Sequence, residues 1–456
     1  MKITILGAAG VRTPLIVGAI AQRQEQLGLD ELALMDIDGE RLELTGRLTD
    51  ALERRGSVKF HILRTTDSIQ ALDGADFVIT TFRVGGITSR VIDERVPLEL
   101  GYLGQETTGP GGFAMGLRTI PVILDYVRQM EKLCPQAWLV NFANPAGMLA
   151  EAVVRGAGWQ RVVGICDAPG SMARVAAALA GAPVDQIYLD YFGLNHLGWV
   201  RSILHHGRNL LPGFLEMLQS TGPFPGLPFE PRLLATLGMI PNEYLFYYYS
   251  GKQAVENIQR AGQTRGEAIA ALNGRLFGEL KRLKEAGDLD GMLPVYETYI
   301  EKRGETYMVN ETGHVHAAED LPPELAGALG GEGYAGVALD LIESLSGKQP
   351  RQMILNIPNH GAITGMGAED VVEIPAYVAY DLVKPLAVGE LPVQCLGLMQ
   401  QVKAYEQLTI KAALEHAYDL ALQALIIHPL VRDAQAARAI LDGYIARHGN
   451  NFPALA

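Results

Sequence analysis

Short apolar runs alternate with amphipathic stretches along the first third of the chain. The runs predict buried β-strands, because they are about four to eight residues long and end at Gly, Pro or Asp. The amphipathic stretches predict helices that cover a sheet. In chain order the predicted strands are KITILG, ELALMDID, ADFVITTF, AWLVNFANP and RVVGICDAP, and the predicted helices are TPLIVGAIAQRQEQL, ERLELTGRLTDALERRG and TIPVILDYVRQMEKLCP. This alternation predicts a doubly wound, Rossmann-like α/β sheet.

The pattern changes near residue 175. IYLDYFGLNHLGWVRSILHHG predicts antiparallel strands, and RQMILNIPNHGAITGM and DVVEIPAYV predict two more. Helical periodicity fills most of the rest, in PNEYLFYYYSGKQAVENIQRAG, TRGEAIAALNGRLFGELKRLKEAG, YAGVALDLIESLSG and QCLGLMQQVKAYEQLTIKAALEHAYDLALQALIIHP. We therefore predict a Rossmann-like domain over residues 1–175 and an α+β domain over residues 176–456.

Composition excludes several kinds of partner. A net charge of −13, from 51 acidic and 38 basic residues, would repel a nucleic acid backbone. No apolar run reaches the roughly 18 residues that a membrane span needs, and MKITILGAAG enters the first strand without a leader sequence. Three cysteines are too few for a disulfide framework. We expect a cytoplasmic protein with neither a nucleic acid nor a membrane partner.

The loop after the first strand, GAAGVRTP, partly matches the G-x-G-x-x-G pattern of dinucleotide-binding loops. Gly7 would allow the tight turn, and the helix that follows would direct its amides at a pyrophosphate. Asp36, at the end of the second strand, would accept hydrogen bonds from the adenosine ribose, which favours NAD over NADP. The candidate cofactor-binding residues in this region are Gly7, Gly10, Val11, Arg12 and Asp36. A plain structural turn is the alternative interpretation.

Polar residues also follow several predicted strands at their carboxyl ends, where ligands gather in parallel α/β sheets. The candidates there are Arg83, Glu106, Asn141, Asn144, Cys166 and Asp167. We assign Arg83 to the cofactor site. The convergence of so many polar side chains on one edge predicts a ligand site.

FGLNHLGW places Asn195 and His196 inside an otherwise apolar predicted strand. A buried histidine is most often a core residue. Next to the Cys166 thiolate it would instead be a metal ligand, because one Cys and one His leave room on a divalent ion for water and substrate oxygens. Both interpretations stay open on these residues alone.

In MIPNEYLFYYY, Asn242 is predicted to cap a helix that carries Tyr244 on one face with Tyr247 and Tyr248. Aromatic residues at this spacing are usually core residues. A tyrosine beside a metal ion and an oxidised cofactor would have a lowered phenol pKa and would serve as a base.

Several of these stretches together resemble glycoside hydrolase family 4, the NAD- and divalent-metal-dependent glycosidases, and most closely its 6-phospho-β-glucosidase members. The resemblance spans residues 1–431. Its strongest stretches are FRVGGITSRVIDERVPLELGYLGQETTGPGG, LCPQAWLVNFANPAGM, GICDAP, GLNHLGW and IPNEYLFYYY. It implies a small-molecule phosphoglycoside substrate, an NAD-binding first domain, and a second domain for substrate, metal and oligomerisation.

The resemblance also implies roles for single residues. Cys166 and His196 would hold Mn²⁺ or a similar ion, and Tyr244 would be the catalytic base. Arg90, Asn144 and Arg265 match positions that contact the substrate. In the mechanism of the family, NAD⁺ takes hydride from C3 of the sugar, the base removes the C2 proton, the leaving group departs from C1, and water addition and reduction of the C3 ketone follow.

Three departures from the family pattern bear on the substrate. The chain has GAAG where many members have GGGS. Asp167 follows Cys166 where β-type members usually have Asn, and this Asp resembles the general acid of 6-phospho-α-glucosidases. The family's RGG segment is matched to Leu329-Gly330-Gly331, without its arginine. The alternatives are therefore a 6-phospho-α-glucosidase or a family member acting on a non-phosphorylated or otherwise anionic sugar.

Two further interpretations belong to other classes of protein. The predicted architecture is like that of the lactate and malate dehydrogenases, so an NAD-dependent 2-hydroxy acid dehydrogenase is one alternative. A non-catalytic NAD sensor is the other. The long apolar C-terminal helical segment predicts a homodimer or a homotetramer.

Overall fold

The computed structural model describes residues 1–55, 58–222, 227–313 and 333–456, and its main feature is a nine-stranded sheet. Strands β1 to β6 are parallel and comprise Lys2–Leu6, Glu31–Met35, His61–Thr65, Phe77–Thr80, Trp138–Asn141 and Val162–Gly164. Helices α1 to α7 comprise Thr13–Leu27, Gly39–Arg55, Ser68–Leu72, Gly86–Glu99, Pro110–Leu133, Ala146–Ala157 and Ala168–Ala180. The predicted parallel α/β sheet is confirmed.

Among these six strands the order is β6-β5-β4-β1-β2-β3. The chain runs outward from β1 through β2 and β3 and then crosses to the other side of β1 for β4. At such a reversal the loops after two adjacent strands diverge and leave a crevice at their carboxyl ends. The crevice between β1 and β4 is therefore where this sheet would bind a ligand.

Strand β3 was not predicted from the sequence. It lies at the edge of the sheet, and all five of its residues are half-buried or exposed. A strand that is open to solvent on one edge needs no continuous apolar run, which is the signal that identified its neighbours.

The rest of the chain contains a second, smaller sheet and most of the helices. Strands β7 to β13 are Ile187–Leu194, Leu197–His205, Arg208–Asn209, Ile240–Pro241, Arg351–Pro358, Val371–Ala379 and Leu382–Pro385. Helices α8 to α18 are Leu211–Thr221, Pro231–Leu237, Phe246–Tyr249, Gly251–Ala261, Arg265–Glu285, Met292–Glu305, Val309–Thr312, Gly333–Leu345, Val393–Glu415, Tyr418–Ile427 and Ala434–His448. Short 3-10 helices span Val184–Gln186, Glu243–Leu245 and Gly449–Asn451.

Strands β11 to β13 extend the first sheet rather than the second. β11 pairs antiparallel with β6, with Asn356 opposite Gly164, and β12 and β13 follow outward. Buried residues from both halves of the chain form one continuous core, which includes Ile3, Phe192 and Leu355. The two predicted parts thus share a core, and the boundary at residue 175 stays a prediction.

Two predicted helices have different limits in the structure. Helix α5 begins at Pro110, nine residues before the predicted start, because Gly111 lets it pack on the backbone of Gln105: a Cβ there would lie 2.0 Å from that carbonyl oxygen. The long C-terminal helix is two helices, α16 and α17, because His416 ends the first with a φ of 55°. Within the described ranges, no helix has the length and apolarity that crossing a bilayer requires.

A buried ionic cluster fixes helix α16 against the large sheet. The Lys403 ammonium donates to Glu151 Oε2 at 2.7 Å, to the Val371 carbonyl oxygen at 2.7 Å, and to Glu406. A buried charge is stable only when it is paired and hydrogen-bonded, and here the ammonium has three acceptors. The cluster is structural and lies outside the strand ends that form the candidate site.

Candidate functional site

The loop after β1 packs directly on the loop after β4. Gly7 has a φ of +98°, and a Cβ on it would lie 2.4 Å from the backbone nitrogen of Phe82. Both facts require glycine, because other residues rarely adopt this φ and none fits the space. Gly10 then closes a turn by donating its N–H to the Gly7 carbonyl oxygen at 3.2 Å. The predicted glycine positions thus form a close backbone turn at the crevice.

Helix α1 begins immediately after this turn. Arg12 is its N-cap and makes no side-chain capping hydrogen bond, and Pro14 lies in the first turn. The Val11 carbonyl oxygen accepts a hydrogen bond from the Tyr296 hydroxyl at 2.7 Å, which ties the loop to α13. Amides at the start of a helix bind anionic groups, so this end of α1 fits a pyrophosphate.

Asp36 closes the other side of the loop. Its Oδ2 accepts from the Ala9 amide at 2.9 Å and its Oδ1 from the Asp38 amide at 3.0 Å. Ile37 follows it and is 84% exposed, an unusual position for an isoleucine beside a crevice. An acid and an exposed apolar side chain at the end of β2 suit an adenosine ribose and its base. The residues present therefore fit NAD.

Cys166 and Asp167 lie beyond β6, next to the crevice. The Cys166 Sγ lies 3.9 Å from Asp167 Oδ1, and Cys166 is 5% exposed. Both side chains interact electrostatically with the phenol of Tyr244. The ring of His196 stacks on the ring of Tyr244, with centroids 3.7 Å apart and planes 5° apart. The structure thus brings together the four side chains that the sequence placed in the metal and catalytic sites.

The sequence indicated that His196 lies inside a strand, but in the structure it lies outside one. Asn195 and His196 form the two-residue turn between β7 and β8, and His196 has a φ of 63°. A non-glycine residue with positive φ is uncommon and is retained where the surrounding structure fixes it. The turn directs the imidazole toward Tyr244 rather than into the sheet.

The tyrosine segment forms two short helices instead of one. Asn242 Oδ1 accepts from the Tyr244 amide at 3.0 Å, so Asn242 caps a 3-10 turn and not the predicted α-helix. Tyr247 lies beside Tyr244, with ring centroids 6.2 Å apart. Tyr248 was predicted on the same face, but its ring faces His428 at 6.3 Å. The change from 3-10 to α geometry rotates Tyr248 away from the site.

Burial dominates the electrostatics of the metal-ligand candidates. It lowers the pKa of the His196 imidazole to about 4, although Glu106 nearby opposes the shift. Burial, with Glu373 and Asp167 nearby, raises the pKa of the Cys166 thiol. The imidazole is therefore neutral and able to donate a lone pair, while the thiol keeps its proton until a cation displaces it. A neutral imidazole and a thiol that ionises on binding fit a transition-metal dication.

Two of the three substrate candidates, Arg90 and Arg265, lie in a cluster of arginines around Glu106. Arg90 is 3% exposed, donates from Nε to Glu94 Oε1 at 2.9 Å, and forms an ion pair with Glu106 through Nη1 and Oε1, 2.8 Å apart. Arg83 also pairs with Glu106, and its Nη1 lies 3.1 Å from Met115 Sδ. Arg83 therefore reaches the substrate side of the crevice as well as the cofactor loop, and its assignment to NAD stays a prediction.

Two more arginines complete this cluster. The Arg265 guanidinium lies 4.8 Å from the centre of the Tyr307 ring, and its buried Nε has no hydrogen-bond partner. Burial, with Arg12, Arg265 and Arg90 nearby, lowers the pKa of Arg303 to about 10. Burial, and then the neighbouring guanidinium charges, therefore disfavour the charged form of Arg303.

Asn144 is a half-buried residue in the otherwise buried loop after β5, and the preceding Asn141 holds that loop. Asn141 accepts from Thr80 Oγ1 at 2.7 Å and donates to the carbonyl oxygens of Ala143 at 3.0 Å and Ala146 at 3.2 Å. Asn141 thus has a structural role in the predicted polar cluster. Leu329, Gly330 and Gly331 lie outside the described residues.

Four residues near the site were not selected from the sequence, namely Glu243, Arg303, Tyr307 and Glu373. Tyr307 donates to Glu243 Oε1 at 3.2 Å, directly beside Tyr244. Glu373 is the one carboxylate in strand β12, VVEIPAYVA, which is a signal of a buried, partnered charge. Its partners could not be named without the tertiary structure. No group of three or more His, Cys, Asp or Glu that could hold a metal ion occurs within the described ranges.

Family models match both halves of the chain. The family model described as "Family 4 glycosyl hydrolase" matches residues 2–181, and the one described as "Family 4 glycosyl hydrolase C-terminal domain" matches residues 191–431. The chain is 34% identical to the probable 6-phospho-beta-glucosidase of Bacillus subtilis (strain 168), over 99% of this chain and 97% of that protein. These matches cover nearly the whole length of the chain.

Two solved structures have the same fold. The 6-phospho-beta glucosidase of Thermotoga maritima, with NAD and glucose-6-phosphate, has a TM-score of 0.83 at 29% identity and covers 100% of both chains. A 6-phospho-alpha-glucosidase from gut microorganisms, in complex with NAD and Mn²⁺, has a TM-score of 0.83 at 26% identity and covers 100% of this chain and 99% of that one. The predicted family is therefore confirmed: this chain belongs to glycoside hydrolase family 4 and is an enzyme that hydrolyses glycosidic bonds.

Proposed function

We propose that this enzyme hydrolyses 6-phospho-β-glucosides and uses NAD and a divalent metal ion such as Mn²⁺. The observation that carries the proposal is the arginine cluster beside Tyr244 and His196. In this site NAD⁺ would supply reversible hydride removal from a sugar carbon, and the dication would polarise a sugar oxygen. The solved relatives bind NAD with glucose-6-phosphate or with Mn²⁺, which supports the same combination here.

The arginine cluster suits a phosphate for two reasons. Although burial raises it, the positive charge of Arg83, Arg90, Arg265 and Arg303 holds the pKa of Glu106 at about 2. Glu106 is therefore ionised, and its one negative charge lies near four guanidinium groups. The buried Arg265 Nε also lacks an acceptor, and an oxygen of a bound phosphate would supply one.

Side chains of the protein would carry out the proton transfers. Tyr244 would accept the C2 proton of the sugar, because its ring stacks on His196 and its phenol interacts with Cys166. Burial raises the pKa of the Tyr244 phenol in the protein alone, so the phenol keeps its proton until positive charge is bound beside it. Asp167, in the same cluster, would hold or release a proton at the leaving-group oxygen.

Asp167 favours a second candidate, a 6-phospho-α-glucosidase. Its carboxylate interacts electrostatically with Cys166, Glu243 and Tyr244, so it faces the reacting groups. By resemblance, an Asp after the metal cysteine is the general acid of the α-type enzymes. We place the β-anomer first because the Bacillus subtilis relative, at 34% identity, has a β-type name.

A substrate screen tests the proposal. We expect 4-nitrophenyl β-glucoside 6-phosphate to be hydrolysed with NAD⁺, Mn²⁺ and a thiol present, and the corresponding α-anomer to react at least about tenfold more slowly in kcat/KM. Release of 4-nitrophenol measures both rates. Activity that survives chelation and removal of NAD would contradict the proposal, and faster reaction of the α-anomer would favour the second candidate.

The arginine cluster gives a separate prediction. Replacing Arg303 by Met should lower kcat/KM for the phosphorylated substrate by about 10- to 100-fold, mostly through KM, because a charge-assisted hydrogen bond contributes roughly 1.5–3 kcal/mol. The exposed Arg128, which pairs with Asp125 on the surface, provides the matched control Arg128→Met. Equal losses on phosphorylated and non-phosphorylated glucosides would contradict a phosphate contact.

The cellular setting is proposed from the sequence and the resemblance. We propose that the enzyme acts in the cytoplasm as a homodimer or a homotetramer. The supporting features are the small number of cysteines, which fits a reducing compartment, and the apolar helices α16 and α17. Light scattering on the purified protein measures the oligomeric state directly.

A further inference from the structure

Glu373 is a buried carboxylate that the proposed reaction does not use. It lies on strand β12 and is 1% exposed. Its Oε2 accepts from the Tyr191 hydroxyl at 2.6 Å, and its Oε1 accepts from Asn356 Nδ2 at 2.9 Å and from Asn195 Nδ2 at 3.4 Å. Three directional donors from three strands or turns therefore converge on one side chain.

The partners of Glu373 lie next to the proposed ligands. Asn195 precedes His196 in the turn between β7 and β8, and its Oδ1 accepts from the Ala146 amide at 3.0 Å. Ala146 follows the loop that carries Asn144. Asn195 therefore links the turn that carries His196, the proposed metal ligand, to the loop that carries Asn144, the proposed substrate contact.

Asn356 provides a second link, toward Cys166. It is in register with Gly164, the last residue of β6, two positions before Cys166. A Cβ on Gly164 would lie 2.9 Å from Asn356 Cβ, and a Cβ on Gly147 would lie 3.1 Å from Asn195 Cβ. This close packing leaves the two asparagines little freedom, so their amides stay directed at Glu373.

We propose that Glu373 is a positioning residue that holds His196, Cys166 and Asn144 in the arrangement that binds the metal ion and the sugar. It acts through Asn195 and Asn356, whose side-chain amides donate hydrogen bonds to its carboxylate. The inference rests on the proposed function, since it takes Cys166 and His196 as the metal ligands. Hydrogen-bonded partners behind metal ligands commonly change metal affinity by about 10- to 100-fold when they are removed.

Metal binding tests the role without an activity assay. Glu373→Leu should weaken Mn²⁺ binding at least about tenfold, measured from the electron paramagnetic resonance signal of free Mn²⁺. Glu373→Gln keeps an oxygen that can accept from both asparagines and should stay within about threefold of the unmodified protein. NAD⁺ affinity, measured by calorimetry without metal, should be unchanged in both variants. The Gly7 loop follows β1, whereas Glu373 lies on β12.

Controls separate this role from general destabilisation. Glu406→Leu removes another buried carboxylate, from the Lys403 cluster, and should lower thermal stability while Mn²⁺ affinity remains. Asn195→Ala is a second test if Glu373→Leu does not fold, and it should also weaken Mn²⁺ binding. If the unmodified protein binds no Mn²⁺, the proposed function fails. If it binds Mn²⁺ and the foldable variants at both positions bind it equally well, or if NAD⁺ affinity falls in parallel, the role of Glu373 is overturned.

Discussion

Replacing Tyr244 by Phe is expected to lower kcat by about 10²- to 10⁴-fold, the range typical of removing a positioned base. The substitution deletes one oxygen and keeps the ring that stacks on His196, so the metal-ligand geometry should persist. NAD⁺ and Mn²⁺ should therefore bind with nearly unchanged dissociation constants. Loss of turnover with retained ligand binding also distinguishes an enzyme from an NAD sensor.

The measurement compares two tyrosines of the same segment. Tyr248→Phe removes a phenol that faces His428 instead of His196, and it should keep most of the activity. In the unmodified enzyme a C2-deuterated substrate should react more slowly, because the C2–H bond breaks in a step that Tyr244 assists. Retention of more than about a tenth of kcat in Tyr244→Phe would exclude the phenol as the base.

Replacing Cys166 by Ala should weaken Mn²⁺ binding at least about 100-fold and remove activity, since the loss of a direct ligand exceeds the 10- to 100-fold effect of an outer partner. The thiol is one of only two protein ligands in the proposed site. His196→Ala should have a similar effect, because neither ligand alone holds a divalent ion tightly. NAD⁺ should still bind in both variants.

The chain provides its own control for the cysteine. Cys395 is 1% exposed, lies on helix α16 and has no role in the site. Cys395→Ala should lower stability by the amount expected for a small cavity and leave Mn²⁺ affinity and activity unchanged. Chelation of the unmodified enzyme should abolish hydrolysis, and added Mn²⁺ should restore it. Normal Mn²⁺ binding by Cys166→Ala would place the metal ion elsewhere.

Local pattern was enough to find the elements whose signal lies in consecutive residues. The apolar runs identified β1, β2, β4, β5 and β6, because strands buried on both faces need no polar residue. The same signal failed for β3, which is exposed at the edge of the sheet. It also failed for the limits of α5, where Gly111 permits close packing on the backbone of Gln105.

Some residues of the candidate site were found from local motifs, and others only from the tertiary structure. Cys166, His196 and Tyr244 were selected because motifs around them resemble those of a family, and the structure brings them together. Arg303 and Tyr307 carry no such motif in the quoted stretches. They join the site only because α13 and the turn after it pack beside Arg265 and Tyr244, which is a contact between distant parts of the chain.

The sequence by itself determined the Rossmann-like α/β class, the family and the residues proposed for cofactor, metal and base, because these depend on short-range periodicity and on local motifs. Only the tertiary structure decided that β11 to β13 extend the first sheet and that His196 lies on a turn. It also decided that Glu373 is hydrogen-bonded to Asn195 and Asn356, next to the proposed metal ligands. Glu373 and Cys166 are far apart in sequence, and no local pattern specifies which buried donors a carboxylate will meet. The partners of Glu373 follow instead from the pairing of β11 with β6. This long-range register is established when the chain folds and is not specified by composition.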